Sequence, residues 1–149
     1  MTNMDSGSAT AGKAALLLAS KGLGYFVPTA KQKKNLVVAF AKNDKIVYGK
    51  AFDVVRLEDA VNLDSLEEVE ANLSKILLCE IKSTKKDIAV DFRGHFFGLT
   101  AAEVLVAQSL KEQFRFIFVN TVTGAYLELQ LNEIFAKARG IYPTWSISF

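Results

Sequence analysis

The segment that most constrains this chain is residues 75–82, KILLCEIK. Its run is apolar at both odd and even positions until its end. Strands buried on both faces read as near-continuous apolar runs, so this one belongs in the centre of a sheet covered on two sides. The chain has 149 residues, enough for one domain with a core that needs no metal or disulfide to hold it. Its single cysteine, Cys79, and single histidine, His95, exclude an internal disulfide framework, a Cys-rich zinc site and a two-histidine metal motif.

Around that strand the pattern alternates in type. Residues 12–21 carry an apolar helical stripe stopped by Gly22 and Gly24. Residues 35–41 (NLVVAFA) form a continuous run with β-branched and aromatic members and read as a buried strand, with 45–48 as a hairpin arm and 51–57 as a further strand. A helix is expected over 64–73, with Ser65 and Glu68 in capping-box spacing, and another over 101–112, capped by Thr100 with Glu103. Residues 113–119 and 125–129 read as strands and 131–139 as a last helix, leaving 144–149 as an edge strand. The expected architecture is a single α/β domain over residues 12–149, a central mixed sheet flanked by helices, after a polar, disordered start over 1–11.

The net charge is +2, from 18 basic and 16 acidic side chains, too small a surplus for attraction to polyanions over the whole surface. The longest apolar run near the N-terminus, residues 14–19, is well short of the roughly 20 needed to span a membrane. Asp5 ahead of it does not suit a signal peptide. No membrane association and a cytoplasmic location are therefore expected.

Chemistry is concentrated at the end of the central strand. Glu80 and Lys82 project to one side, about 7 Å apart along the strand, while Cys79 and Ile81 face a core. Asp53 lies in AFDVVRL, on the strand before. If the two strands are neighbours, Asp53 and Glu80 converge, and two carboxylates completed by water suit Mg²⁺, with Mn²⁺ as a substitute. Lys82 beside them can help activate a water and stabilise charge building on a phosphodiester.

Asp53…Glu80-Ile81-Lys82 resembles the D…ExK signature of the PD-(D/E)xK, or restriction-endonuclease-like, nucleases. Members of that superfamily open with a helix, carry the Asp on a hairpin, place ExK on the next strand, and continue with a helix and another strand. Segments 12–21, 35–57, 75–82, 100–112 and 114–119 are similar in order, and Leu99-Thr100 with Glu103 resembles the helix start of small stand-alone members. The resemblance implies a restriction-endonuclease-like core and a Mg²⁺-dependent DNA endonuclease. In it Asp53 and Glu80 are metal ligands and Asp53, Glu80 and Lys82 catalytic. The chain departs from the pattern in having Phe52, not proline, before Asp53, in a long acidic insertion between Asp53 and Glu80, and in lacking a glutamate on the helix over 12–21.

Lys85, Lys86 and Arg93, with Lys33 and Lys34, are the expected DNA-phosphate contacts. Gln108 and His95 are possible accessory residues. A chain this short is expected to act as a homodimer or with a partner subunit. The competing readings are a catalytically inactive module of the same fold, serving in DNA binding or protein interaction, and a small-molecule enzyme with Glu80 as base. The chain has no Gly-rich phosphate loop, which weighs against the last.

Overall fold

The apolar run over residues 75–82 becomes a nine-residue strand, Ile76–Thr84, at the middle of a five-stranded sheet. The structure is a computed structural model that describes residues 2–149, with side chains from Thr10 onward. The disordered start expected over 1–11 falls mostly on residues whose side chains lie outside this description. In chain order the elements are α1 (Thr2–Ser20), β1 (Tyr25–Phe26), α2 (Ala30–Lys42), β2 (Val54–Leu57), α3 (Leu66–Ala71), β3 (Ile76–Thr84), α4 (Ala101–Leu110), β4 (Phe114–Asn120), β5 (Tyr126–Leu129) and α5 (Leu131–Lys137).

The strands lie in the order β1-β2-β3-β4-β5. Only β3 and β4 are parallel, joined through α4, and the other pairs are antiparallel. The result is the expected α/β arrangement of one mixed sheet with flanking helices. Alternation along β3 divides its side chains between two cores. Leu77, Cys79 and Ile81 meet Ala14, Ala15 and Leu18 of α1, together with Ile117 and Val119. Ile76 and Leu78 meet Phe114, Phe116 and Phe118 beneath Leu36, Ala39 and Phe40 of α2 and Val106, Ala107 and Leu110 of α4. Burial pushes the Cys79 thiol far up, so it is an inert core group.

Residues 35–41 are not a strand. They lie inside α2, whose start is fixed by a reciprocal capping box. The Gln32 N–H donates to Thr29 Oγ1 at 3.2 Å, and the Thr29 N–H donates to Gln32 Oε1 at 2.9 Å. The fully buried members, Leu36, Ala39 and Phe40, are spaced i, i+3, i+4, which is one face of a helix. A short apolar run does not by itself distinguish the two structures, and here the cap decides.

The hairpin arm at 45–48 is also absent. Gly49–Ala51 is a 3₁₀ turn, which shortens the following strand to Val54–Leu57 and leaves Asp53 just before it. On the side of β2 away from β3, the antiparallel neighbour is instead β1, which follows Gly22 and Gly24. Gly24 sits at φ +89°, and a Cβ there would lie 2.6 Å from the Leu57 carbonyl oxygen, so only glycine fits this approach. Residues 144–149 join no sheet and carry Trp145 into solvent.

On the α1 side, Glu128 of β5 ties the sheet together. It accepts hydrogen bonds from Tyr25 Oη and from Arg56 at 2.6 Å, and lies 3.7 Å from Arg115. Among the described residues no helix is long and apolar enough to cross a membrane.

Candidate active site

Strands β2 and β3 are neighbours, with Val54 opposite Cys79. Continuing that antiparallel register by one residue brings Asp53 opposite Glu80, on the same face of the sheet. Two backbone contacts hold Asp53 there. Its N–H donates to the Cys79 carbonyl at 2.8 Å, and its Oδ2 accepts the Ile81 N–H at 3.1 Å. The carboxylate is therefore anchored to β3 although Asp53 lies outside the regular strand.

Glu80 is 8% exposed, and its Oε2 is buried without a hydrogen-bond partner. Burial, then the negative charges of Asp53 and Glu103 and a side-chain hydrogen bond with Asp53, push its pKa up to about 9, against the opposing pull of Lys82. The neutral form of Glu80 is therefore favoured over its carboxylate. The Lys82 ammonium lies 2.7 Å from Glu103 Oε1 and 3.7 Å from Glu80 Oε1. Glu103 is itself buried on the first turn of α4, where its Oε1 also accepts the Thr100 N–H at 3.1 Å.

Phe116 and Phe118, the register partners of Glu80 and Lys82 on β4, form an apolar flank. The low local dielectric there strengthens each electrostatic contact in the group. With β2 and β3 as neighbours, the condition on which their convergence depended, Asp53 stands opposite Glu80 and Lys82 lies beside Glu80. The residue that sequence reasoning did not connect to them is Glu103. Its capping role was legible from Thr100, but its contact with Lys82 depends on how α4 crosses the sheet, which no local pattern encodes.

The outer candidates are dispersed. Lys85 and Lys86 are exposed just past the end of β3, where Asn120 Nδ2 pins the loop by donating to the Lys86 carbonyl. Arg93 is exposed and paired with Asp91 at 3.4 Å. His95 is stacked on Phe97 and meets the edges of Phe92 and Phe118, with Nε2 buried and unpartnered. Burial, and then the charge of Lys86, push its imidazole down, which keeps it neutral at pH 7.

Gln108 is five residues beyond Glu103 and turned about 140° around the helix from it. It lines a cleft with Ala107, Lys111, Gln130, Leu131 and Asn132, facing α5 instead of the carboxylates. Lys33 is engaged with the Gly49 carbonyl at 2.7 Å and sits 4.8 Å over the Phe52 ring, while Lys34 is exposed on α2.

Among the described residues no group of three or more His, Cys, Asp or Glu side chains is arranged to hold a metal ion. Any cation here would rest on the two carboxylates Asp53 and Glu80. Their chemistry fits a hard divalent ion, which keeps several waters when few protein ligands are offered, and no N–H donates to the buried Glu80 Oε2. No family model, curated protein or solved structure matches the chain.

Proposed function

We propose that this chain is a Mg²⁺-dependent DNA endonuclease with a restriction-endonuclease-like core and a PD-(D/E)xK-type site. The observation that carries this reading is the juxtaposition of Asp53 and Glu80 across β2 and β3, with the Lys82 ammonium 3.7 Å from Glu80. Asp53 and Glu80 would hold Mg²⁺ or Mn²⁺. Bound there, such an ion supplies Lewis acidity and lowers the pKa of a coordinated water.

The chain's own residues do the rest. Asp53 is oriented in advance by the Ile81 N–H, so little ordering is left for ligation. Glu80 gives up its proton on becoming a ligand, which makes ligation favour higher pH. Lys82 places positive charge where negative charge builds on the phosphodiester. Lys85, Lys86 and Arg93 supply sequence-independent contacts to DNA phosphates. A homodimer, or a partner subunit, would present one site to each strand of a duplex.

Supercoiled plasmid incubated with the protein and Mg²⁺ or Mn²⁺ is expected to give nicked or linear product. Lys82→Ala is expected to lower the rate about 100-fold or more, the scale of a positioned charged group acting in the transition state. Cleavage that survives in Asp53→Ala and Glu80→Ala would remove those residues from the site. A parent protein inert with both metals favours the second reading, a catalytically silent DNA-binding or protein-interaction module.

A further inference from the structure

We infer that Glu103 is the positioning residue for Lys82, a role that rests on the endonuclease reading and extends it to a fourth side chain. A lysine ends in a compact charge on a flexible four-carbon stem, so its location is set by what holds the ammonium. Two carboxylates are within reach of Lys82. The shorter contact, 2.7 Å, is to Glu103, and the contact to Glu80 is 3.7 Å. The Lys82 side chain is 15% exposed and that of Glu103 7%, so solvent screens the pair weakly.

Glu103 is a rigid anchor. Its Oε1 accepts the Thr100 N–H as well as the Lys82 ammonium, and its own N–H donates to Thr100 Oγ1 at 3.1 Å. The helix that carries it is packed onto the sheet through Val106, Ala107 and Leu110. The capping box of α4 therefore also fixes the far end of Lys82.

This pairing divides the carboxylates by task. Glu103 holds the ammonium, and Asp53 and Glu80 are left for the cation. Without the Glu103 charge, Lys82 has only Glu80 to turn to. It would then compete with the cation for the same oxygens and lose its place beside the scissile phosphate.

Glu103→Gln tests the division, because glutamine preserves the capping acceptor and removes the charge. With plasmid or a duplex oligonucleotide and Mn²⁺, this variant is expected to lose about tenfold in kcat, the scale for residues that support a metal site indirectly. Its KM for DNA should stay within about twofold, and the Mn²⁺ concentration for half-maximal rate should rise. Val106→Ala, which loosens α4 without touching a polar group, should lower Tm and leave kcat within about twofold. A cleaving parent matched in kcat by Glu103→Gln overturns this inference alone, as does an equal kcat loss in Val106→Ala. A parent that cleaves with neither metal overturns the endonuclease reading, and the inference with it.

Discussion

Glu80→Gln is expected to flatten the dependence of stability on pH. In the unfolded chain Glu80 titrates near its ordinary value of 4.5, whereas in the fold burial and the neighbouring Asp53 and Glu103 charges raise it to about 9. Below the lower value both states hold the proton, and the group's contribution to stability is fully present. Between the two values the folded state holds a proton that the unfolded state has lost, so unfolding releases a proton and rising pH favours it. The contribution is lost progressively as pH rises across that window. Thermal unfolding from pH 5 to 9 should show Tm falling more steeply in the parent than in Glu80→Gln, which has nothing to titrate at this position. Superimposable pH profiles would mean that Glu80 is not held in a charge-disfavouring pocket.

Phe116→Ala should cost about 3–5 kcal/mol, the range for removing a buried aromatic ring. Phe116 is fully buried on β4, between its register partners Glu80 of β3 and Leu129 of β5. Its ring meets Phe114 edge-on at 5.2 Å, under helices on that face of the sheet. Such a loss is a large share of the roughly 5–15 kcal/mol that stabilises a domain. Urea unfolding should show the midpoint falling accordingly, while Phe96→Ala, at a residue 81% exposed, should change stability by less than about 0.5 kcal/mol. A shift in Phe116→Ala as small as that in Phe96→Ala would contradict the core described here.

What was legible in the residues follows from how local each signal is. The central position of β3 could be read because an unbroken apolar run has few other places to go. The start of α4 could be read because Thr100 and Glu103 satisfy each other within four residues. The α2 segment misleads because NLVVAFA is equally apolar as strand or helix, and its decisive cap, Thr29 with Gln32, lies outside the run. β1 is only two residues long, so Tyr25 and Phe26 carry no period of their own, and their pairing depends on the close approach at Gly24. The meeting of Asp53 with Glu80 was conditional on strand order. The grip of Glu103 on Lys82 is a contact between a helix and a strand and has no sequence signature.

The central claim is that Asp53 and Glu80 together form a site for one divalent cation. Calorimetric titration of the full chain with Mn²⁺ at pH 8 tests it without relying on cleavage. The expected result is a saturable isotherm with one ion per chain, abolished when Asp53→Asn and Glu80→Gln are combined. Binding of equal affinity in the double variant, or no binding by the parent, would contradict it.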